Sequence, residues 1–147
     1  MKIKDFLAAS DVAIDTRADD KASLLRELAA RAGASLNLPP NMVAHAIEKR
    51  DELGSTGIGG GVSIPHARFR EVKKPFGILV RLKQAIDFDA IDSKAVDIVF
   101  LIVLPAASQL DQLTALAAAA RKLRQPETLQ RLRSAASNTE FYRAITE

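Results

Sequence analysis

The amino-acid sequence predicts the α/β fold class, with a single domain over residues 1–147. The main observation is an almost continuous apolar run at Val96–Leu104, which is typical of a central strand buried on both faces. A second strand-like run lies at Phe76–Leu82, and segments with helical periodicity stand on either side of this pair. Because both faces of a buried sheet must be covered, we expect helices on both faces.

The composition excludes several classes of protein. No apolar run is long enough to cross a bilayer, and residues 1–6 lack the apolar core of a signal peptide, so we expect a cytoplasmic protein without membrane insertion. Cysteine is absent, which excludes disulfides and cysteine nucleophiles. The net charge of +3 comes from scattered basic residues, with one tyrosine and no tryptophan, so nucleic-acid binding is not expected. An acidic protein partner is the lesser alternative to a solvated surface.

The segment before the central strands predicts a short strand and two helices. Residues 6–14 are weakly patterned and indicate an initial turn and an edge strand. The first helix is expected to have Asp19 or Asp20 as its N-cap and to stop at Gly33. Its apolar stripe comprises Leu24, Leu25, Leu28, Ala29 and Ala32. The second helix covers residues 41–53. Its inward face comprises Val43, Ala46 and Ile47.

Three further helices are predicted after the central strand. They cover Ser108–Arg124, Glu127–Arg133 and Asn138–Ile145. The core stripe of the first of them comprises Leu113, Leu116, Ala120 and Leu123. The last helix is expected to have Asn138 or Thr139 as its cap and Phe141 and Ile145 as core anchors. Between the two strands, the acidic residues Asp87, Asp89 and Asp92 indicate a strand end and a turn rather than paired catalytic acids.

The stretch 54–68 is the candidate functional segment. It contains five of the seven glycines and ends close to His66, one of only two histidines. Glycines let the backbone approach a ligand and present bare N–H groups that suit phosphate. Pro65 fixes its own φ and favours an extended conformation at Ile64. The backbone before His66 is therefore rigid, and the direction of the histidine side chain is restricted. We therefore predict that His66 accepts a phosphoryl group in a pocket lined by this loop. The predicted phosphoryl-binding loop comprises Ser55, Thr56, Gly57, Gly59 and Gly60.

Arg50 is the second candidate site residue. It follows Val43 by seven residues and continues the inward face of its helix. In one interpretation its side chain extends past the core to solvent or pairs with an acidic residue. In the other, which we favour, it holds an anion beneath the glycine loop. A neutral imidazole, with an unperturbed pKa of about 6.5, can attack phosphorus without a separate base. Arg50 and the loop N–H groups would then offset the phosphoryl charge, whereas Ser55 and Thr56 either donate to it or merely cap the preceding helix.

Other chemistry is not expected. His45 lies off the apolar stripe of its helix and is predicted to be exposed and inert. Two distant histidines without cysteine make a poor metal site, so no metal is predicted. The glycine cluster lacks the Gly-Lys-Ser/Thr ending of a P-loop, and Val62 stands where G-x-G-x-x-G requires its third glycine. No nucleotide or other cofactor is therefore predicted.

The segment from Arg50 to His66 resembles the signature of IIA components of the phosphoenolpyruvate-dependent phosphotransferase system, of the fructose–mannitol type (type 2). Within that family it is most similar to the nitrogen-regulatory branch. The resemblance extends to Leu38–Pro40, Ile86–Asp92, Val96–Asp97, Leu104–Ala106 and Phe141–Tyr142. It implies a mixed sheet between helices, a phosphohistidine at His66, an assisting arginine at Arg50, and a small histidine phosphocarrier protein as the donor. Many members carry a second histidine at the start of the third helix, where this chain has Gln112. Its amide can hydrogen-bond a phosphoryl oxygen but cannot act as a cation.

Three functions remain open from the sequence. The first is a regulatory phosphocarrier, which is a phosphotransferase only in the sense that it forms a phosphohistidine. Its targets would be nitrogen- or potassium-related proteins, including potassium transporters and sensor kinases. The second is a sugar-specific IIA subunit that passes the phosphoryl group to a IIB partner. The third is a binding module in which His66 is never phosphorylated. Gln112 and the absence of a fused IIB domain or membrane span favour the first.

Overall fold

Two long strands run antiparallel at the middle of a six-stranded sheet. They are β5 (Phe76–Ile86) and β6 (Val96–Pro105). The structure is a computed structural model, which describes residues 1–147. The shorter strands are β1 (Val12–Thr16), β2 (Gly57–Gly59), β3 (Val62–Ser63) and β4 (His66–Phe69). Strand β1 pairs parallel with β5, β3 and β4 pair parallel with β6, and β2 pairs antiparallel with β3. The sheet is therefore mixed, as expected, and β1 is the predicted edge strand.

Five helices cover both faces of the sheet, which confirms the predicted architecture. They are α1 (Lys21–Leu36), α2 (Pro40–Glu52), α3 (Gln109–Leu123), α4 (Pro126–Ser134) and α5 (Asn138–Thr146). Side chains alternate along the long strands: Val80 and Leu101 pack in one core with α1 and α2, whereas Leu79 and Phe100 pack in a second core with α3, α4 and α5. Because β6 is buried on both faces, its sequence is continuously apolar. Among these helices none combines the length and apolar character needed to cross a membrane.

Helix α1 continues past its predicted stop at Gly33 and ends at Leu36. The following Asn37 adopts the left-handed conformation, with φ 57°, and its N–H donates to the Gly33 carbonyl. Gly33 lies instead where the chain turns back toward α2. A Cβ atom there would come 2.7 Å from the Leu38 carbonyl oxygen. Gly33 therefore allows close packing of the chain, and Asn37 is the residue that adopts the left-handed conformation at the end of the helix.

The N-cap of α1 is predicted correctly, whereas that of α5 is not. The Asp20 carboxylate accepts a main-chain N–H of the first turn of α1 at 2.8 Å. Helix α5 is capped by the Ser137 hydroxyl instead of Asn138 or Thr139. The side-chain oxygen of Asn138 accepts the Ile14 N–H at 3.0 Å, so this residue ties α5 to the edge strand β1. A long-range bond of this kind has no signal in local sequence.

The inward face of α3 differs from the predicted stripe. Leu113 is 61% exposed, and Leu116 and Ala120 are half-buried. The fully buried positions are Ala115, Ala119 and Leu123. The small alanine side chains face the sheet and let the helix approach it closely, which turns the leucines of the first two turns toward the rim.

Candidate functional site

His66 is the first residue of β4, the short strand that lies beside the carboxyl-terminal half of β6. Its Cα is paired with that of Ile102, and the Ile102 N–H donates to the Pro65 carbonyl at 2.9 Å. The stiff Ile64–Pro65 lead-in is thus bonded to the most buried strand of the protein. The imidazole, which is half-buried, is held by the rigid part of the fold rather than by a free loop.

One main-chain contact defines the hydrogen-bonding state of the His66 ring. The Nδ1 atom lies 2.9 Å from the Ile64 carbonyl oxygen. Because a carbonyl oxygen only accepts, Nδ1 carries the hydrogen and Nε2 keeps its lone pair. The Arg50 Nε–H donates to this Nε2 atom at 3.3 Å. Nε2 therefore faces a guanidinium group, and Nδ1 is bound to the backbone.

The surroundings of His66 favour its neutral form. Burial lowers the pKa of His66 below its ordinary value of 6.5, the hydrogen bond to the Ile64 carbonyl raises it, and the positive charge of Arg50 lowers it further. The net direction is downward. At neutral pH the ring is consequently uncharged, with a lone pair available on Nε2 for attack on an electrophile.

Arg50 lies in the last turn of α2 and reaches back over the His66 ring. Its Nη1 atom donates to the Gly54 carbonyl at 2.8 Å, and no carboxylate lies within ion-pair distance of it. The neighbouring Asp51 pairs with Lys21 at 2.7 Å and so does not neutralise Arg50. Arg50 therefore forms no ion pair, and its role in holding an anion stays a prediction.

A cavity of about 480 Å³ opens beside the Nε2 side of His66. It lies between α2, the start of β4, the end of β6 and the first turns of α3. Its lining comprises Ala46, Lys49, Arg50, Leu53, His66, Ala67, Arg68, Leu104, Gln112 and Leu116. The charged side chains of this lining are all cationic, which suits an anionic ligand, and the apolar ones limit access of water.

Gln112 lines this cavity, but its donors are already in use. Its amide nitrogen donates to the Pro105 carbonyl at 3.0 Å and to the Ala106 carbonyl at 3.4 Å. These two contacts direct the amide nitrogen toward the backbone and link the end of β6 to α3. The amide hydrogen bond to a phosphoryl oxygen that the sequence suggested would compete with these contacts.

The predicted phosphoryl-binding loop does not reach the cavity, because its polar groups have partners inside the fold. The Ser55 hydroxyl donates to the Phe88 carbonyl and accepts the Gly57 N–H. The Thr56 hydroxyl is buried and bonds to Ser63. The expectation that Ser55, Thr56 and Gly57 line the pocket is therefore corrected.

The remaining loop glycines form the turn between β2 and β3. Gly59 and Gly60 have φ values of 94° and 66°, which a side chain would strain. The Gly60 N–H donates to Asp92 at 2.9 Å instead of facing the cavity. Positive φ was expected for these glycines, but it serves a tight hairpin rather than an anion nest.

The sequence reasoning missed Lys49, Arg68, Leu104 and Leu116 as cavity residues. For Arg68 a signal exists: it follows His66 by two residues, and residues two apart share one face of a strand. The sequence pattern does not predict a strand at residues 66–69, and therefore it does not place Arg68 beside His66. The contrasting histidine, His45, is exposed on α2 as predicted.

Comparisons with known proteins agree on one family. The model of the phosphoenolpyruvate-dependent sugar phosphotransferase system, EIIA 2, matches residues 5–147. The nitrogen regulatory protein of Escherichia coli strain K12 is 40% identical over 125 residues, which is 84% of this chain and 75% of that protein. The nitrogen regulatory protein of Bradyrhizobium diazoefficiens is 34% identical over 145 residues, 99% of this chain and 95% of that one. The crystal structure of nitrogen regulatory protein IIA-Ntr from Neisseria meningitidis superposes with a TM-score of 0.93 at 30% identity and covers 98% of this chain and 99% of that one.

Proposed function

The chain belongs to the EIIA type 2 family of the phosphoenolpyruvate-dependent phosphotransferase system, and we propose that it accepts a phosphoryl group on Nε2 of His66 and works as a regulatory phosphocarrier. The observation that carries this proposal is the bond from Nδ1 to the Ile64 carbonyl, which leaves Nε2 unprotonated beside Arg50. The donor is a histidine phosphocarrier protein, as is usual for the family.

The transfer needs no separate base. The Nε2 lone pair of His66 attacks phosphorus, and the P–N bond of the donor's phosphohistidine breaks with its electron pair returning to the donor ring. His66 keeps its hydrogen on Nδ1 and becomes a phosphorylated ring with a positive charge, which the Ile64 carbonyl stabilises. A donor ring protonated on its other nitrogen leaves as neutral imidazole, so protons and charge balance.

Arg50 is the residue best placed to assist this step. Its guanidinium is 3.3 Å from Nε2 and is not neutralised by a carboxylate, so a small rotation brings it onto the phosphoryl oxygens. Charge-assisted hydrogen bonds from a planar guanidinium are strong and directional. They would act where negative charge accumulates as the phosphoryl group passes between the two rings.

An exposed apolar rim supports docking of the donor. Leu53 is 86% exposed at the end of α2, and Leu110 and Leu113 are 71% and 61% exposed in the first turns of α3. These helix ends border the cavity, where Leu53 itself forms part of the lining. Exposed leucines at a cationic cavity mouth are typical of a protein interaction site, since a solvated surface would place polar residues there.

The regulatory role rests on the relatives and on the charge change. The relatives from Escherichia coli and Bradyrhizobium diazoefficiens are named nitrogen regulatory proteins, and we propose nitrogen- or potassium-related targets for this chain, among them potassium transporters or sensor kinases. A phosphoryl group adds negative charge at a cationic cavity beside the leucine rim. This changes the local field and so allows different partners to bind the two states.

The test is phosphorylation in a reconstituted relay. The purified protein is mixed with phosphoenolpyruvate, the first enzyme of the system and the histidine phosphocarrier protein, and intact masses are recorded for wild type, His66→Ala and His45→Ala. We expect one acid-labile phosphoryl adduct on wild type and on His45→Ala, and none on His66→Ala. An unlabelled wild type, with a known family member labelled in parallel, would contradict the proposal. Binding of a target that does not change between the phosphorylated and unphosphorylated states would contradict the regulatory part alone.

A further inference from the structure

Arg68 occupies the same face of β4 as His66. The intervening Ala67 and the following Phe69 are buried in the core with α1 and α2. Because side chains alternate along a strand, His66 and Arg68 project from the opposite face. Both side chains line the cavity that opens beside Nε2.

The Arg68 guanidinium has no partner in the fold. It takes part in no side-chain hydrogen bond and no ion pair, and the residue is exposed. Two other arginines are engaged: Arg81 donates to the Leu132 and Ala135 carbonyls, and Arg133 forms a two-bond pair with Asp97. At the cavity, Lys49 lies 3.7 Å from Glu52. Arg68 is therefore the lining cation that forms neither a hydrogen bond nor an ion pair.

A phosphoryl group on Nε2 needs more donors than Arg50 supplies. The group has three acceptor oxygens and close to two negative charges. One planar guanidinium satisfies at most two of these oxygens in a fork geometry. The Gln112 amide nitrogen is bonded to main-chain carbonyls, and the Gly57 and Gly60 N–H groups of the glycine loop donate to Ser55 and Asp92. The remaining oxygen therefore faces the cavity, where Arg68 stands.

We propose that Arg68 is a second phosphoryl-binding residue, which contacts the phosphoryl group on His66 from the β4 side while Arg50 contacts it from α2. This inference rests on the proposed phosphorylation of His66. In this arrangement Arg68 stabilises the phosphorylated state of the protein. It thereby shifts the equilibrium of phosphoryl transfer from the donor toward this protein. In the unphosphorylated fold the Arg68 guanidinium forms no hydrogen bond and no ion pair, so its substitution should change stability little.

The test compares Arg68→Gln, Arg68→Lys and the matched control Arg70→Gln. Arg70 is also exposed and lies two residues further on, beyond the cavity. Each protein is mixed with the histidine phosphocarrier protein, phosphoenolpyruvate and the first enzyme. The first enzyme is then removed, and the ratio of phosphorylated forms is read by intact mass. Loss of a charge-assisted hydrogen bond should shift the equilibrium toward the donor by about tenfold in Arg68→Gln. Arg68→Lys should recover part of this shift, and Arg70→Gln should match wild type.

The ³¹P chemical shift of the phosphohistidine supplies a second readout. We expect it to change in Arg68→Gln and to stay at the wild-type value in Arg70→Gln. Slower transfer with an unchanged equilibrium and an unchanged ³¹P shift would place Arg68 on the donor-docking surface and overturn the inference. Equal behaviour of Arg68→Gln and Arg70→Gln would also overturn it while leaving the phosphocarrier function intact. An unphosphorylated wild type would instead mean that the proposed function itself has failed.

Discussion

At the scale of single residues, a main-chain carbonyl determines which nitrogen of His66 can react. Ile64 precedes a proline and is therefore held extended, and its carbonyl accepts the Nδ1–H at 2.9 Å. A carbonyl in this role orients the ring without adding a charge that would raise its basicity strongly. In the proposed phosphorylated state, the same contact would stabilise the positively charged ring.

The lowered pKa of His66 predicts a pH dependence of folding. The unfolded chain takes up a proton on this ring near pH 6.5, whereas the folded chain does so at a lower pH. The free energy of unfolding should therefore fall as the pH drops from about 6.5 toward the folded pKa of His66, and this contribution is constant above that window. Urea unfolding between pH 5 and 8 measures it.

The matched variants separate this contribution from that of other groups. His66→Ala should lose the fall in this pH window, whereas His45→Ala should keep it, because His45 is exposed. A curve for His66→Ala that runs parallel to that of wild type would contradict the assignment.

Gln112 is predicted to act on stability more than on chemistry. Gln112→Ala removes the bonds to the Pro105 and Ala106 carbonyls and should lower the free energy of unfolding by about 1 kcal/mol. Its rate of phosphorylation should stay at the wild-type value, because the lost donors face the backbone. Stopped relay reactions and urea unfolding measure the two quantities, with the exposed Gln109→Ala as control. A large loss of rate with little loss of stability would show that the amide contacts the phosphoryl group.

The sequence could predict the placement of Arg50 but not that of the loop residues. Helical phase places residue 50 on the face of Val43, and this geometry holds wherever the helix lies. A glycine indicates only that the backbone needs freedom or room. Which atoms its N–H meets depends on distant segments, as when Gly60 donates to Asp92. The roles of His66 and Arg50 in phosphoryl transfer stay predictions.

At the scale of elements, the β2–β3 hairpin is bound from two sides. The Gly60 N–H donates to Asp92, and its carbonyl accepts from Arg133 at 2.6 Å. Arg133, in the last turn of α4, also pairs with Asp97 at the start of β6. The hairpin leads directly into β4, so these bonds hold in register the segment that presents His66.

Gly61 should be less replaceable than its neighbour Gly60 in this hairpin. It has φ 81°, and a Cβ atom there would lie 2.7 Å from Arg133 Nη2 and 3.0 Å from Asp97 Oδ1. Gly60 has φ 66° with open space around it. Gly60→Ala should cost about 1 kcal/mol through backbone strain alone, and Gly61→Ala should cost more because it displaces Arg133. Chemical unfolding of both variants tests this ranking.

A double-mutant cycle isolates the contribution of Arg133. In an Arg133→Ala background, the two alanine substitutions should differ by less than they do in wild type, since most of the steric conflict is gone. An undiminished difference would refute the explanation.

The sequence predicts the long elements more accurately than their ends and rotations. Strand β6 is recognised from composition because both of its faces are buried. The end of α1 is not, because Gly33 marks a close approach to the Leu38 carbonyl while Asn37 takes the left-handed conformation. The sequence does not predict the rotation of α3, because the leucines are the stronger hydrophobic signal. The residues that face the core are mainly the smaller alanines.

At the scale of the whole molecule, two apolar cores share the same pair of strands. Val80 and Val99 belong to the core with α1 and α2, and their neighbours Leu79 and Phe100 belong to the core with α3, α4 and α5. Neither core can open without exposing strands that the other core also covers. The division of the chain into one domain, residues 1–147, stays a prediction, which this arrangement supports.

One domain predicts one unfolding transition. Leu28→Ala in α1 and Phe141→Ala in α5 each remove a fully buried side chain from a different core. Each should lower the free energy of unfolding by about 2–5 kcal/mol and shift the whole transition. Native-state hydrogen exchange, followed by mass spectrometry of peptides from both faces, measures this. Loss of protection confined to the face that carries the substitution would contradict a single cooperative unit.

The measurement that tests the central claim most directly is the site of phosphorylation within the ring. The protein is labelled with ¹⁵N at its histidines, phosphorylated by the reconstituted relay, and examined for one-bond ³¹P–¹⁵N coupling. We predict coupling to Nε2 of His66, with a hydrogen retained on Nδ1 and bonded to the Ile64 carbonyl. Coupling to Nδ1, coupling to the ring of His45, or a protein that acquires no phosphoryl group would contradict it.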